Sequence, residues 1–175
     1  MKNLLYGLLI LKAVLACVVI FIIGLHFDEA QYWTWSQHLD WGYYSKPPGI
    51  AWQIALGCWF FGNTVLGVRF VTIILSGLLS LAIYRLSKIC GGSDKVAFWS
   101  AIVMAFCPLG ILGTLFATTD SGFILFWVLA LTELIKNKKN NFVVVGILIG
   151  LGALFKWPIY FLWIPTLLVF RTPRV

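Results

Sequence analysis

Three carboxylates and two lysines are the side chains of this sequence best suited to chemistry. Asp28 and Glu29 are adjacent, and Lys46 follows them before a Pro-Pro pair. Asp120 and Lys156 each stand at the end of a later apolar run. A carboxylate partly removed from water has a pKa raised toward that of a working general base. An ammonium group at headgroup depth suits a lipid-linked phosphate, so the set predicts acid–base chemistry beside a phosphate.

The composition places these side chains in a membrane protein. Of the 175 residues, 61% are hydrophobic and only 11% are charged. A soluble domain is about 45–50% apolar and about 25% charged. Nine Trp residues fit a chain that crosses headgroup layers repeatedly. The net charge of +7 is dispersed between apolar runs and forms no basic stripe, which argues against nucleic-acid binding.

The apolar runs predict an all-α polytopic membrane protein with about six spans, at 4–25, 66–87, 96–116, 121–135, 142–155 and 157–170. If all six cross, the clustered Lys and Arg residues fall on one side, including the KNKKN stretch at 136–140. The positive-inside rule then makes the N-terminus and these connections cytoplasmic. The loop at 26–62 becomes extracytoplasmic, together with Asp120 and Lys156. Two carboxylate sites and two cations therefore share one membrane face.

A purely structural interpretation of the same residues is also open. Asp28 followed by Gln31 is a capping-box pattern that predicts a helix over about 29–39. The aromatic residues of the loop would then anchor that helix at the membrane surface. Asp120 would cap a later helix, and Lys156 would snorkel toward the headgroups.

The remaining ionisable and sulfur-containing side chains form no ligand pattern. Lys12 lies within the first apolar run and is expected to snorkel or to face protein. His26 and His38 are isolated, and the four Cys residues stand singly with no CxxC or Cys/His spacing. We therefore expect neither a metal site nor a disulfide framework.

Three motifs, taken in order, resemble one family of membrane enzymes. They read FDEAQYWTWSQHLDWGYYSKPP in the first loop, ATTDSGF around Asp120, and GILIGLGALFKWP around Lys156. Over about residues 25 to 170 the chain resembles the bacterial dolichyl-phosphate-mannose–protein mannosyltransferase-like superfamily. That superfamily includes the lipid A aminoarabinose transferases and related polyprenyl-phosphate-sugar glycosyltransferases. The first motif is the most specific of the three.

The resemblance implies a GT-C-like transmembrane helix bundle. Its external first loop, at about 26–62, would carry amphipathic juxtamembrane helices and the catalytic groups. The implied enzyme is an inverting hexosyl- or pentosyl-type glycosyltransferase of the bacterial inner membrane. It would move a sugar from a polyprenyl-phosphate donor to a lipid, glycan or protein acceptor on the extracytoplasmic face.

The resemblance also implies a role for each of the five side chains. Asp28 and Glu29 match catalytic positions, with Asp28 as the base or the acceptor-orienting carboxylate. The substrate-binding positions are Lys46, Asp120 and Lys156, and Lys46 matches the lysine that contacts the lipid phosphate. In physical terms, a lysine stabilises charge on the departing phosphate while a carboxylate accepts a proton.

Two positions depart from the aminoarabinose-transferase subgroup. Those enzymes have an acidic residue before Lys-Pro-Pro, proposed to hold a metal, where this chain has Ser45. They have Arg three residues after the loop aspartate, where this chain has Gln31. A divalent metal is therefore not supported, no cofactor is assigned, and the wider sugar-transferase interpretation is unaffected.

Chain length and the positions of the charges separate three alternatives: part of an enzyme, a transporter, and a non-catalytic remnant. Family members have more spans and commonly an external C-terminal domain, so we expect residues 1–175 to be the N-terminal part of a GT-C transmembrane domain, inactive alone. The C-terminal spans and the external domain would be absent. A transporter or lipid flippase with an external phosphate-binding vestibule would need charges at mid-membrane and paired half-repeats. A non-catalytic truncated remnant would keep the motifs without completing a site.

Overall fold

The computed structural model describes residues 1–136 and 141–171, and within these ranges every regular element is helical. In chain order the elements are α1 (Lys2–Val19), α2 (Phe27–Ser36), α3 (Gly49–Phe61), α4 (Val65–Ile89), α5 (Asp94–Phe106), α6 (Pro108–Leu115), α7 (Thr119–Lys136), α8 (Asn141–Ala153), a 3-10 helix (Trp157–Leu162) and α9 (Trp163–Arg171). The all-α prediction is confirmed. Lys138, Lys139 and Arg174, which the sequence assigns to the cytoplasmic side, lie outside the described residues.

Helix length separates the strong membrane spans from the weaker ones. Among the described helices, α1 and α4 are each long and apolar enough to cross a membrane. The pair α5 and α6 makes a third candidate, bent by 57° at the break before Pro108. Helix α7 carries three charged residues, and the 13 residues of α8 reach only about 20 Å. The membrane helices are therefore shown, whereas the count of six spans is not confirmed.

Helix α4 is the centre of the bundle. It packs against α1, α3, α5, α6 and α7, while α8 packs against α7. The approach of α3 to α4 is so close that a Cβ on Gly57 would overlap the carbonyl oxygen of Gly67. Glycine at this crossing therefore lets the first loop and the central helix meet backbone to backbone.

The start of α2 differs from the predicted capping box. The helix begins at Phe27, with His26 and not Asp28 as its N-cap. The Glu29 carboxylate accepts a hydrogen bond from the backbone N–H of His26 at 2.9 Å, which closes a box two residues earlier than expected. The prediction from Asp28 and Gln31 is wrong, because His26 Nδ1 accepts from the Asp28 backbone N–H and the Asp28 side chain is free to point elsewhere.

The Lys-Pro-Pro segment is fixed to the end of α8. The backbone N–H of Gly49 donates to the carbonyl of Leu154 at 2.7 Å. A Cβ on Gly49 would lie 2.6 Å from that same oxygen, so only glycine permits the contact. The first and third sequence motifs are therefore adjacent in space.

Candidate active site

A buried ion pair lies where α2 meets α4. Arg69 Nε donates to Glu29 Oε1 at 2.8 Å, and Arg69 Nη2 donates to Glu29 Oε2 at 2.6 Å. The two side chains are 0% and 1% exposed. Charges removed from water to this extent are stable only with full hydrogen bonding, and this two-pronged geometry supplies it.

Both ions have further partners. Glu29 Oε1 also accepts from the backbone N–H of Ala117 at 2.8 Å. Arg69 also donates to the backbone carbonyls of Ile23 at 3.0 Å and Gly24 at 2.9 Å. We call this arrangement the Glu29–Arg69 clamp. It joins the segment after α1, the start of α2, the central helix and the segment between α6 and α7.

Two members of the clamp, Glu29 and Ala117, line a cavity of about 420 Å³. The polar side chains of its lining include the partly exposed Asp28 and Asp120, which stand at its mouth, and the buried Ser121. Its floor is mainly apolar and is formed by side chains such as Leu79, Met104 and Ile124. Such a cavity can hold a molecule with an apolar body and a polar group at the mouth.

Asp28 differs from its neighbour Glu29 in exposure and in partners. Its side chain is 46% exposed, and its carboxylate lies 3.9 Å from His26 Nδ1. His26 also lines the cavity, so the two side chains stand together at the mouth. A carboxylate in this position retains lone pairs for an incoming hydroxyl group.

Asp120 and Lys156 form a second ion pair at the mouth. Lys156 Nζ lies 2.5 Å from Asp120 Oδ1, and the two side chains are 34% and 41% exposed. Asp120 lies in the first turn of α7, and Lys156 lies between α8 and the 3-10 helix. Because both ions reach solvent, this pair is more easily opened than the Glu29–Arg69 clamp.

The pKa of Tyr32 reflects the burial and the negative charge near the cavity mouth. Burial raises the pKa of its phenol, and the negative charges of Asp28 and Asp120 raise that pKa further. The phenol therefore stays protonated at neutral pH. Both carboxylates therefore lie close enough to act on the same phenol.

Lys46 lines a different cavity, of about 250 Å³. Aromatic side chains dominate its wall, and they are Trp41, Tyr43, Trp157 and Tyr160. Leu154 and Trp157, which flank Lys156 along the chain, also line it. The structure thus brings Asp28, Glu29 and Asp120 to the first cavity, with Lys156 paired to Asp120, and puts Lys46 in an adjacent one.

No group of three His, Cys, Asp or Glu side chains suited to a metal ion is present in residues 1–136 and 141–171. Ser45, which stands where the aminoarabinose-transferase subgroup has an acidic residue, is exposed. The site is therefore built from carboxylates, a paired lysine and an arginine clamp.

Arg69 is the residue of this site that sequence reasoning missed. It interrupts the apolar run at 66–87, close to the start of that predicted span. A signal was available, because an arginine within a membrane helix requires an anionic partner, and few carboxylates exist in this chain. The choice of Glu29 over Asp28 as that partner depends on side-chain direction, which the sequence does not reveal.

Comparison with known proteins gives one family and several relatives. The model of the family described as dolichyl-phosphate-mannose-protein mannosyltransferase matches residues 45–173, which leaves Asp28 and Glu29 just before the match. A lipid A galacturonosyltransferase, RgtD, of Rhizobium johnstonii is 32% identical over 127 residues, which are 72% of this chain and 27% of that protein.

Two further relatives are named as undecaprenyl phosphate-alpha-4-amino-4-deoxy-L-arabinose arabinosyl transferases. The protein of Wigglesworthia glossinidia brevipalpis is 28% identical over 133 residues, covering 71% of this chain and 24% of the relative. The protein of Pseudomonas savastanoi pv. phaseolicola is 28% identical over 134 residues, which are 71% of this chain and 25% of that protein. The chain thus spans about a quarter of the length of these curated relatives. No solved structure matches it.

Proposed function

This chain belongs to the dolichyl-phosphate-mannose-protein mannosyltransferase family, and from that premise we propose that it takes part in sugar transfer from a polyprenyl-phosphate donor. The transfer is inverting and occurs on the extracytoplasmic face of a bacterial inner membrane. The observation that carries the proposal is the meeting of Asp28, Asp120 and Lys156 at the mouth of a cavity with an apolar floor.

The names of the relatives support the substrate classes. Two of them are named for a sugar linked to undecaprenyl phosphate, and one is named for galacturonosyl transfer to lipid A. A lipid-linked hexosyl or pentosyl donor and a glycolipid acceptor therefore fit this chain. The mainly apolar floor of the cavity suits the hydrocarbon of either lipid, because it removes that surface from water and leaves the polar group at the mouth.

In the proposed reaction, Asp28 acts on the acceptor hydroxyl. The hydroxyl oxygen forms a bond to the anomeric carbon of the donor sugar from the face opposite the phosphate. The bond between that carbon and the phosphate oxygen breaks, and its electron pair leaves with the polyprenyl phosphate. Asp28 accepts the hydroxyl proton, a role that requires the exposure and the uncommitted lone pairs this carboxylate retains.

Glu29 has a positioning role in this scheme. Its oxygens already accept from Arg69, Ala117 and His26, so no free position remains for an acceptor hydroxyl. The family resemblance implies a catalytic role for both carboxylates, whereas we propose that role for Asp28 alone. Glu29 instead fixes the backbone at Ala117, three residues before Asp120, and at His26, two residues before Asp28.

The lysines stabilise the departing phosphate. Lys156 is held by Asp120 before the donor binds, and its ammonium is close enough to the mouth to exchange that carboxylate for a phosphate oxygen. Lys46, in the adjacent cavity, offers a second cation and aromatic faces that can stack on a sugar ring. Asp120 therefore keeps Lys156 in place as its counter-ion.

The charge distribution supports the orientation. Arg85 and Glu133 pair at 3.6 Å near the ends of α4 and α7 that are far from the clamp, and Lys88 and Asp94 pair beside them. Basic residues concentrate at this end, so the positive-inside rule makes it cytoplasmic and the cavity mouth extracytoplasmic.

The test uses Asp28→Asn in the full-length gene product, in native membranes supplied with a polyprenyl-phosphate sugar. Removing a general base slows transfer by about 10²–10⁴-fold. Asp40→Asn is the matched control, because Asp40 is an exposed carboxylate of the same loop outside the cavity lining. Retained transfer in Asp28→Asn, or equal loss in both variants, would contradict the assignment.

A further inference from the structure

Lys12 is a cation placed deep in the apolar part of the bundle. It lies in α1, and its ammonium donates to Ser76 Oγ of α4 at 3.1 Å and to the carbonyl of Gly110 in α6 at 3.2 Å. The side chain therefore faces protein and does not snorkel, one of the two outcomes expected from the sequence. Ser76 is seven residues beyond Arg69, so Lys12 lies about 10 Å deeper along α4 than the clamp.

The hydrogen atoms around Lys12 can be accounted for individually. Thr114 donates its hydroxyl hydrogen to the Gly110 carbonyl at 2.7 Å. The hydroxyls of Ser76 and Thr114 are 2.6 Å apart, so Ser76 must be the donor in that contact. Ser76 then accepts from Lys12. The two hydroxyl hydrogens are committed, and the third N–H of the Lys12 ammonium is the donor left over.

The positive charge of Lys12 faces neutral groups only: besides the two oxygens, its ammonium lies 5.9 Å from the centre of the Phe106 ring. Within the part of the chain that the structure describes, no carboxylate lies within 4.0 Å of its ammonium. Hydroxyl and carbonyl oxygens solvate the cation but do not neutralise it. A membrane helix keeps such a charge only at a cost, which marks it as a candidate ligand site whose partner is an anion.

Two cavities meet at this cluster. Ser76 and Gly110 line the 420 Å³ cavity of the candidate active site. Lys12 and Thr114 line a groove of about 190 Å³ whose other walls are apolar, formed by α1, α5 and α6. The remaining lining residues of the groove are Leu15, Ala16, Val19, Phe106, Ile111 and Leu115. A cation at one end of an apolar groove fits a lipid with an anionic group.

We propose that Lys12, held by Ser76 and Gly110, binds the phosphate ester of a lipid that lies in this groove. The identity of that lipid as a polyprenyl phosphate rests on the proposed function, whereas the phosphate site itself does not. The site is separate from Lys156 and from Lys46. It provides a position deeper in the bundle for the phosphate of the lipid carrier, before or after sugar transfer.

The test measures binding to the purified full-length gene product in a nonionic detergent, followed by tryptophan fluorescence. The probes are a polyprenyl phosphate and a polyprenol of equal chain length. Lys12→Gln removes the charge and keeps two donors for Ser76 and Gly110. It is expected to weaken phosphate binding by about tenfold or more and to leave polyprenol binding unchanged, because only a charge-assisted hydrogen bond is lost.

Two further variants make the result specific. Lys2→Gln is the matched control, since Lys2 is an exposed lysine of the same helix, and it is expected to bind like the native protein. Ser76→Ala removes an acceptor that holds the ammonium and is expected to weaken phosphate binding less than Lys12→Gln. Should Lys12→Gln fail to fold, Ser76→Ala decides, and native phosphate affinity in that variant overturns the proposal.

The outcomes show which lipid binds, and they separate the Lys12 phosphate site from the proposed sugar transfer. Competition by phosphatidic acid at equal concentration supports the phosphate site and assigns it to bulk membrane lipid. Competition by polyprenyl phosphate alone supports the carrier as the ligand. Native affinity in Lys12→Gln overturns the site while leaving the proposed transferase untouched. A native protein that prefers polyprenol or binds both probes equally contradicts the site and the proposed function together.

Discussion

Glu29 and Asp28 are adjacent in the chain, yet their carboxylates lie in opposite environments. Glu29 is almost fully buried and is saturated by the Arg69 guanidinium and two backbone N–H groups. Asp28 stays half exposed at the cavity mouth, with His26 as its nearest ionisable neighbour. The same functional group, one methylene apart in side-chain length, thus holds the backbone in one case, and in the proposed function it faces the substrate in the other.

The comparison extends to the cations. Arg69 has an anionic partner, two backbone carbonyls and the Phe116 ring at 5.1 Å. Lys156 has a partly exposed carboxylate and the Phe123 ring at 6.0 Å. Lys12 has neutral oxygens and the Phe106 ring at 5.9 Å. A charge with every hydrogen bond satisfied inside the bundle is a structural element. A charge with a loose or missing counter-ion is available to a ligand, which is the distinction that the following variants test.

Arg69→Met is expected to have the largest effect. It leaves Glu29 buried without its counter-ion, and breaking a buried pair in this way costs about 3–5 kcal/mol. Thermal melting in detergent is the measurement. Arg85→Met, in the same helix but more than half exposed, is the control and should melt close to the native protein. Equal melting of the two variants would show that the clamp is not structural.

Lys156→Gln should lower transfer while leaving the fold intact. Its ion pair is partly exposed and contributes about 0.2–1 kcal/mol to stability, yet loss of a cation beside the leaving phosphate slows the reaction by about 10²-fold. The rate of transfer and the melting temperature are measured together. Lys95→Gln, an exposed lysine at the far end of the bundle, should change neither. A variant that melts early and reacts normally would reverse the roles assigned to the two ion pairs.

Lys88→Ala is expected to have the smallest effect. Lys88 pairs with Asp94 at 2.8 Å, a shorter distance than that of several functional contacts, but both side chains are largely in solvent. Water and salt screen such a pair, so no measurable change in melting or transfer is expected. A clear loss of stability would mean that distance, and not burial, decides which ion pairs matter in this protein.

The features that could be predicted from the sequence are those that depend on local composition. The helical membrane fold follows from the apolar runs, and the three motifs already contain Asp28, Asp120 and Lys156. The capping box was wrong because His26 and Asp28 both have side chains that can cap, and only the position of Glu29 decides between them. The number of spans stayed open because Pro108 bends one run and α7 carries charges at both ends.

Long-range partners could not be predicted. Arg69 is 40 residues from Glu29, and Ala117 is 88 residues from it. Nothing in the local sequence indicates which of two neighbouring carboxylates turns inward. The sequence predicts only that Lys46 shares a membrane face with Asp28, whereas in the structure the bond from Gly49 to Leu154 places the Lys46 segment at a different cavity.

The most direct test measures transfer rate and melting temperature for Asp28→Asn and Glu29→Gln, side by side in the full-length gene product. Asp28→Asn should melt like the native protein and lose transfer. Glu29→Gln should melt early, because the amide cannot neutralise Arg69, and any transfer it loses should follow its loss of folded protein. Native transfer in Asp28→Asn, or native melting in Glu29→Gln, would contradict the division of roles between the two carboxylates.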